Sequence, residues 1–422
     1  MKNFPPLKEA HAEILARHWA EAGEAERSIA EWSKAGQKAA ERSANAEAIS
    51  HLAKGLELLN NLPETPNRFQ QELALQLALG TPLIAIKGFG SPEVGKVYAR
   101  ARELCQHAGE APQLFRVLRG LWVFYSARAE HAVARELAEQ CLRLAEAAGD
   151  PDLLVEAHHA RGVTMTALAE LAPGLEDLDY VIVHHDPAKH PEFLYGQDPK
   201  VVCLSQAAWT LWVYGHPDQA VKRNDEAIAL ARQLSHPYSL AAALSFGAIV
   251  HQLRNDVPQS EQLALGAIKL STEQEFPYWI FWGQVLSAWA ASQREHSGAG
   301  IGRTRDAVAA FRATGAEVMV PYFLGLLAEA HGKAGQVQAG MNVLAEAQAI
   351  VDRGRERWWE SELYRLKRGI DPHAVRRQRH IRRTLQGGGG MLLSGTESGF
   401  APVRQVTGTA RGDEFEPPLA RT

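Results

Sequence analysis

The sequence predicts an all-α protein in which helical hairpins repeat and stack into a superhelix. Helix-forming residues dominate residues 8–368, and apolar side chains recur there at steps of three and four, as at Leu137, Cys141 and Leu144. Prolines fall mainly between these segments, where helices begin. A spaced set of small residues then returns about every 40 residues, which indicates a repeat array rather than a single packed bundle.

The predicted helices alternate between a first helix, helix A, and a second helix, helix B, in each hairpin. We place helix A at 112–127, 152–168, 199–214, 237–254, 277–294, 317–334 and 356–368. We place helix B at 130–148, 172–184, 217–234, 258–274, 298–314 and 337–353. Residues 8–62 add three helices, and 67–110 form a less regular helical stretch interrupted near Gly88-Phe-Gly90. The β-branched run Val181-Ile-Val183 suits either a buried helix end or a strand.

The repeated feature is a turn residue followed by a small residue five positions later and another after seven more. The examples are Gly215, Ala220, Ala227; Gly335, Gly340, Ala347; Asn255, Ser260, Ala267; Glu295, Gly300, Ala307; Ala129, Ala134, Cys141; and Gly23, Ser28, Ala35. Glycine tolerates a tight turn, and small residues let helix B cross helix A closely. These offsets are those of tetratricopeptide repeats, with a period of about 40 rather than 34 residues. Glu170, Leu175 and Ile182 occupy the same three positions in a further repeat, but Leu175 and Ile182 are not small residues.

Three regions are predicted. Residues 1–66 form an N-terminal helical region, and residues 67–370 form the tetratricopeptide-like superhelix with a concave face lined by helix A. Residues 371–422 contain four consecutive glycines and no apolar periodicity, which is typical of a disordered tail. The last helix A has no helix B after it, so a truncated or frame-shifted gene end is an alternative origin for this tail.

Composition excludes several classes of function. The chain has 422 residues, a formal net charge of −4 and three widely spaced cysteines. This balance gives no electrostatic basis for binding nucleic acid or a membrane surface, and the sparse cysteines exclude a disulfide framework or a zinc site. No apolar run is long enough to cross a membrane. We therefore expect a cytoplasmic protein with no metal and no cofactor.

One segment resembles a phosphate-binding loop. Gly90-Ser-Pro-Glu-Val-Gly95-Lys96-Val97 matches the spacing G-x-x-x-x-G-K. Val97 replaces the Ser or Thr that binds magnesium, Pro92 lacks an N–H donor, and no buried strand precedes the loop. We therefore interpret it as an inter-helix turn.

Other polar groups carry weaker signals. His184, His185, Asp186 and His190 lack the i, i+4 spacing of a helical metal site and suit a solvated loop. His158 and His159 are adjacent and face different sides of one helix. A basic run, Arg376–Arg383, lacks the aromatic residues of a nucleic-acid site and is interpreted as part of the tail. No spacing joins a nucleophile to a base, so we predict no catalytic residues.

The aromatic residues of helix A are the candidate ligand contacts. Such side chains fill the seam between hairpins or project into the concave groove as anchors. The seam is the ordinary role for any single residue, but helix A lines the concave face. The candidates are Trp122, Tyr125, Trp209, Trp212, Trp279 and Trp282.

Several stretches resemble one family, the C-terminal tetratricopeptide region of bacterial signalling proteins in which class III adenylate/guanylate cyclase and AAA-type (STAND-like) ATPase domains precede the repeats. They include Glu156-Ala-His-His-Ala, Phe193-Leu-Tyr-Gly-Gln-Asp-Pro199, Glu273-Gln-Glu-Phe-Pro277, Arg312-Ala-Thr-Gly-Ala-Glu317 and Glu356-Arg-Trp-Trp-Glu-Ser-Glu-Leu-Tyr-Arg-Leu-Lys367. The resemblance covers about residues 8–368. This chain lacks the cyclase and ATPase domains, and residues 90–96 are not the family's nucleotide-binding loop.

The resemblance implies a non-catalytic regulatory scaffold. It binds a protein or peptide partner in its concave groove, and a cyclase or ATPase module in cis or in trans is the implied recipient of the signal. Two alternatives remain open from the sequence. One is a part of a nucleotide cyclase or ATP-binding enzyme whose catalytic domains are encoded elsewhere. The other is a decayed gene fragment.

Overall fold

Helices contain most of the residues that the structure describes. The computed structural model describes residues 12–108, 111–187, 195–294 and 299–371. In these ranges there are eighteen α-helices and no strand. The helices are α1 (Ala12–Glu21), α2 (Ala25–Glu41), α3 (Asn45–Asn60), α4 (Pro66–Lys87), α5 (Pro92–Ala108), α6 (Ala111–Ala127), α7 (His131–Ala148), α8 (Pro151–Ala167), α9 (Leu171–His184), α10 (Pro199–Tyr214), α11 (Pro217–Gln233), α12 (Pro237–Leu253), α13 (Val257–Glu273), α14 (Pro277–Arg294), α15 (Ala299–Ala313), α16 (Val320–Lys333), α17 (Val337–Gly354) and α18 (Glu360–Ile370).

The predicted all-α fold and its alternation of helices A and B are confirmed. The even-numbered helices from α6 to α18 are the predicted helices A, and the odd-numbered helices from α7 to α17 are the predicted helices B. The described bounds differ from the predicted ones by four residues or fewer, most at the start of α18. Residues 181–183 lie in α9, so this stretch is helical. The tail predicted for 371–422 lies outside the described residues, apart from Asp371.

The recurring turn residues hold a left-handed backbone conformation. Between helix A and helix B, φ is +101° at Gly215, +70° at Gly335 and +57° at both Ala129 and Asn255. Glycine adopts this conformation without the steric cost that a Cβ imposes, and asparagine tolerates it. Glu295, the turn residue predicted for another hairpin, lies outside the described residues.

The small residues of helix B are buried where the two helices of a hairpin cross. Ala220, Ala227 and Ala347 are fully inaccessible. At Gly340 an added Cβ would lie 3.3 Å from the Ala328 carbonyl oxygen of the preceding helix. The Ser260 hydroxyl donates a hydrogen bond to the Ala248 carbonyl across the same kind of crossing, at 2.8 Å. A larger side chain at these positions would separate the helices.

One repeat is shifted by one residue from the predicted register. The left-handed turn residue before α9 is Ala169, with φ of +64°, and not Glu170. The small residue five positions later is therefore Gly174, which is buried, and a Cβ there would lie 2.6 Å from the Thr166 side chain. The register that contained Leu175 and Ile182 was wrong, because an alanine occupies the turn where the pattern favours glycine.

The superhelix closes on itself, because its early hairpins (α6 to α9) contact its late hairpins (α15 to α18). The Ala127 carbonyl at the end of α6 accepts hydrogen bonds from the amides of Glu317 and Val318, at 2.9 and 3.0 Å, and the Arg357 amide donates to the Ala167 carbonyl at 2.8 Å. We call these three hydrogen bonds the cross-turn contacts. They join residues about 190 positions apart and fix the curvature of the superhelix.

The glycine-rich segment before α5 belongs to this closure. At Gly90 an added Cβ would lie 2.4 Å from the Gly315 carbonyl oxygen. Ser91 caps the following helix, since its hydroxyl accepts a hydrogen bond from the Val94 amide at 3.4 Å. At Gly95 an added Cβ would lie 2.6 Å from the Phe124 ring. The segment thus has the geometry of a packed inter-helix turn.

None of the helices in the described ranges combines the length and the apolar character that crossing a membrane requires.

Candidate functional site

A cavity lies inside the curve of the superhelix, where the helices A converge. Its volume is about 120 Å³. Five helices A line it, namely α6, α8, α10, α12 and α14. Phe89, His131 at the start of α7, the 195–197 segment and the turns that carry Val318, Met319, Glu356 and Trp358 complete the lining. Because Ala127, Ala167 and Val318 belong both to the lining and to the cross-turn contacts, these contacts border this axial cavity. A ligand inside it contacts both halves of the superhelix.

A buried arginine supplies positive charge at one side of the axial cavity. Arg119 of α6 is 1% exposed. Its guanidinium lies 4.2 Å from the ring centre of Trp122 and 4.7 Å from that of Tyr195. Its Nε donates to the Glu156 carboxylate at 3.0 Å, and its Nη2 lies 2.8 Å from His159 Nδ1. These contacts fix the orientation of the charged group.

The groups around Arg119 have shifted pKa values. Burial raises the pKa of Glu156, but the Arg119 guanidinium and the nearby His159 ring, whose Nδ1 lies 3.8 Å from the carboxylate, outweigh burial, so the net shift is downward. Burial and the nearby Arg119 charge lower the pKa of His159. Glu156 is therefore a carboxylate and His159 a neutral imidazole at neutral pH. The neutral ring can accept a hydrogen bond from Arg119.

A second polar group lies on the late-hairpin side of the axial cavity. Glu356, which precedes α18, is 1% exposed and accepts hydrogen bonds from the Met319 amide and the Trp358 indole. His131, at the start of α7, is also 1% exposed, and its Nε2 lies 3.9 Å from the Glu356 carboxylate. Neither His131 ring nitrogen has a hydrogen-bond partner. This pair joins an early hairpin to a late one.

Four of the six predicted aromatic contacts line the axial cavity. They are Trp122, Trp209, Trp279 and Trp282. Trp282 contacts Phe246 at a ring-centre distance of 5.2 Å, and Trp209 lies 4.4 Å from Trp358 of the late-hairpin side. Trp282 and Trp209 thus each pack against another aromatic side chain of the lining.

Tyr125 and Trp212 are not among the residues that line the axial cavity. Both are partly buried and pack against the hydrophobic core, and Tyr125 lies edge-on to Phe124, with ring centres 5.2 Å apart. Trp212 follows Trp209 by one helical step of three residues on α10. The two side chains therefore lie on the same face of α10, but only Trp209 lines the axial cavity.

The histidines singled out in the sequence have separate partners. His158 Nδ1 lies 2.7 Å from the Asp177 carboxylate, whereas the adjacent His159 contacts Arg119. His184 stacks on Tyr180, and His185 Nε2 lies 3.1 Å from the Asp198 carboxylate. His190 lies outside the described residues. The two histidines of each adjacent pair, His158/His159 and His184/His185, thus contact different residues.

Within the described ranges, one group of three side chains has the spacing of a metal site. Glu13, Glu47 and His51 bring their ligand atoms within 4.8 Å of one another. His51 Nε2 lies within hydrogen-bond distance of Glu47, at 3.3 Å, and 3.6 Å from Glu13, so direct contacts between these side chains account for the cluster. Sequence spacing does not bring the three residues together, because Glu13 lies on α1 and Glu47 and His51 lie on α3.

Sequence reasoning missed the charged side chains of the axial cavity. Arg119 precedes Trp122 by three residues on α6, and Glu156 precedes His159 by the same step on α8. A charged residue at a core-facing position of helix A is the signal that could have found them. His131 and Glu356 give no such signal, since they lie at a helix start and in a turn.

Comparisons with known proteins identify the fold. No protein-family model matches the chain. An uncharacterised protein of Rhizobium meliloti (strain 1021) is 24% identical over 361 residues, which are 84% of this chain and 34% of that protein. The chain therefore spans about a third of the length of the curated relative it matches.

The crystal structure of a Rap protein complexed with Competence and Sporulation Factor is similar over 90% of this chain and 99% of the other, with a TM-score of 0.53 and 12% identity. A STAND protein of Pyrococcus horikoshii with a tetratricopeptide repeat sensor is 10% identical, with a TM-score of 0.41 over 87% of this chain and 55% of the other. The predicted tetratricopeptide-like superhelix is confirmed.

Proposed function

We propose that this chain is a non-catalytic regulatory scaffold that binds a peptide or small ligand in its axial cavity. The observation that carries the proposal is the origin of the cavity walls. Arg119 and Trp122 belong to an early hairpin, whereas Met319, Glu356 and Trp358 belong to late ones. A ligand there contacts both halves, and its binding energy adds to that of the cross-turn contacts.

Ligand binding then acts as a switch of superhelix curvature. A ligand shifts a conformational equilibrium only by its difference in affinity for the two states. An open superhelix lacks one wall of the axial cavity, so the ligand binds the closed form more tightly. The likeness to a Rap protein that was crystallised with Competence and Sporulation Factor supports ligand binding by such a superhelix.

The recipient of the signal is a protein partner, and we propose a cyclase or ATPase module in cis or in trans. The sequence resemblance to the repeat region of cyclase–ATPase signalling proteins supports this choice. The length of the curated relative, of which the matched region is 34%, leaves room for such modules in that protein. The scaffold itself then changes only the accessibility or geometry of its partner.

A binding screen with cavity variants tests the proposed function. Libraries of peptides and of small metabolites are screened for compounds that raise the Tm of the wild-type chain. Compounds that bind the axial cavity lose their effect in Trp282→Ala and keep it in Trp212→Ala, because only Trp282 lines the cavity. Trp282→Phe replaces the alanine variant if the latter does not fold.

Hydrogen exchange then measures the switch. A compound that binds the axial cavity is expected to slow exchange at the amides of Glu317, Val318 and Arg357, which donate the cross-turn contacts. Screen hits that act equally on both tryptophan variants, or that leave these three amides unchanged, would contradict the proposed function. So would a screen that returns no hit.

A further inference from the structure

The axial cavity has a surplus of hydrogen-bond donors. Among its described lining residues, every buried side-chain polar atom without a hydrogen-bond partner is a nitrogen. These atoms are Arg119 Nη1, His131 Nδ1 and Nε2, Gln197 Nε2, Trp279 Nε1 and Trp282 Nε1. Guanidinium, amide and indole nitrogens only donate hydrogen bonds. A buried donor left without a partner costs about 1–3 kcal/mol, so an oxygen-bearing ligand matches this cavity.

Arg119 is the strongest of these donors and is built into a fixed position. Its Nε and Nη2 contact Glu156 and His159, and its guanidinium carbon lies over the rings of Trp122 and Tyr195. Nη1 is the one terminal nitrogen that remains without a partner. A guanidinium held in this way has little conformational entropy left to lose when it binds an anion.

The carboxylates of the axial cavity are already engaged by the protein. Glu156 accepts a hydrogen bond from Arg119 Nε. Glu356 accepts hydrogen bonds from the Met319 amide on both oxygens and from the Trp358 indole on one. Both carboxylates thus already accept hydrogen bonds from the protein, whereas the donors named above have no protein partner.

Much of the remaining lining of the axial cavity is aromatic or aliphatic. Trp209, Phe246, Tyr278 and Trp282 contribute rings to its walls. The volume of about 120 Å³ is about ten times the ~10–15 Å³ that one enclosed water molecule needs. A ligand of roughly ten non-hydrogen atoms with a flat apolar body therefore fits.

We infer that the axial cavity binds a small aromatic carboxylate, whose carboxylate accepts hydrogen bonds from Arg119 Nη1 and the Trp282 indole while its ring packs against the aromatic walls. This inference rests on the proposed function, because it names the ligand class of the same cavity. A charged acceptor forms stronger hydrogen bonds with these donors than a neutral one does.

Three probes of similar size test the ligand class by isothermal titration and by tryptophan fluorescence. They are phenylacetate, its neutral analogue phenylacetamide, and the cationic phenethylamine. We expect phenylacetate to bind about tenfold more tightly than phenylacetamide, and phenethylamine to show no saturable binding. Equal affinities for the acid and the amide, tighter binding of the amine, or no saturable binding of phenylacetate up to about 10 mM would overturn the inference.

A matched pair of variants locates the site. Trp282→Phe keeps the ring and removes the indole N–H, and is expected to weaken phenylacetate binding about threefold to tenfold. Trp289→Phe makes the same change at a buried tryptophan whose indole donates to Glu329 at 3.3 Å, outside the cavity lining. It is expected to leave the affinity unchanged. Equal affinities in both variants would overturn the assignment.

A charge-neutral double variant tests Arg119. Arg119→Gln combined with Glu156→Gln removes both buried charges together, which avoids leaving one of them unpaired. We expect this variant to lose phenylacetate binding. Far-UV circular dichroism and Tm establish that it folds, and the tryptophan pair decides the question if it does not. Wild-type affinity in the folded double variant would overturn the role of Arg119.

Hydrogen exchange separates this inference from the proposed function. If phenylacetate binds as expected but does not slow exchange at the amides of Glu317, Val318 and Arg357, the inferred ligand class is supported and the proposed curvature switch is contradicted. If other screened compounds protect these amides through Trp282 and phenylacetate does not bind, the switch stands and the ligand class fails.

Discussion

Both oxygens of the Glu356 carboxylate lie 3.0 Å from the amide nitrogen of Met319. Met319 is buried and has a φ of +65°, a left-handed conformation that is unfavourable for a side chain with a Cβ. It directly precedes α16, so its amide lies where a helix begins. The carboxylate therefore stabilises a strained turn that also carries part of the axial cavity.

Glu356→Gln is expected to lower the free energy of unfolding by about 1–3 kcal/mol. The glutamine amide replaces one acceptor oxygen with an NH2 donor. This donor would face the N–H of Met319 or of the Trp358 indole, so one of these hydrogen bonds would be lost. Urea unfolding measures the change. Glu362→Gln is the control, because Glu362 pairs with Arg365 on the surface and its loss costs less than about 0.5 kcal/mol. Equal losses in the two variants would contradict this role of Glu356.

The contact between Gly90 and Gly315 gives a second prediction about closure. An alanine Cβ at Gly315 would lie 2.2 Å from the Gly90 carbonyl oxygen, whereas a Cβ at Gly149 would have no atom within 4 Å. Both glycines have positive φ, +82° and +63°. Gly149→Ala is expected to cost about 1–2 kcal/mol from backbone strain alone, and Gly315→Ala about 1–3 kcal/mol more from the clash.

Urea unfolding measures both glycine variants, and hydrogen exchange localises the difference between them. Exchange at the Glu317 and Val318 amides should accelerate in Gly315→Ala and stay unchanged in Gly149→Ala, because only the first variant separates the two halves at the cross-turn contacts. Identical exchange in the two variants would show that the Gly90–Gly315 contact does not hold the closure.

The helices of this fold are predictable from sequence because their signals are local. Apolar periodicity, prolines at helix starts and the turn residue between helices A and B can each be recognised within the sequence of one hairpin. The shifted repeat at Ala169 shows the limit of such signals. Alanine occupies a left-handed turn there, so the composition of the turn no longer marks its position.

The closure and the axial cavity depend on contacts that no local pattern records. The Ala127 carbonyl meets amides about 190 residues later, and Arg119 is fixed by residues of α8 and by Tyr195. For the same reason, local sequence does not show that Trp209 lines the cavity and Trp212 does not. At 100° per residue the two lie about 60° apart on α10, and long-range packing decides which of them faces the cavity.

The glycine-rich segment at 90–96 gives a prediction about nucleotides. Its backbone is packed against Gly315 and its Gly95 against Phe124, so it lacks the open ring of amides that holds phosphates. The purified chain should give no saturable signal with a fluorescent ATP analogue and Mg²⁺. Lys96→Ala should behave like the wild type, because Lys96 is exposed. A saturable signal that disappears in Lys96→Ala would restore the nucleotide-binding interpretation.

The stability of the chain is expected to fall as the pH is lowered from about 6.5 towards 4. His236 precedes α12, and its Nδ1 accepts a hydrogen bond from the Ser239 amide at 3.3 Å. Burial lowers its pKa from 6.5 to about 4. Between these values the unfolded chain binds a proton that the folded chain does not, so acid favours unfolding, by up to about 3 kcal/mol at pH 4. The lowered pKa of His159 acts in the same direction.

Urea unfolding of His236→Asn across this pH range checks the assignment. Asparagine keeps an acceptor for the Ser239 amide and has no proton to bind, so the dependence of stability on pH should become shallower by about one proton. His184→Asn, which changes an exposed histidine at the end of α9, is the matched control. If His236→Asn keeps the full dependence, the acid sensitivity belongs to other groups, and His159 beside Arg119 is the next to replace.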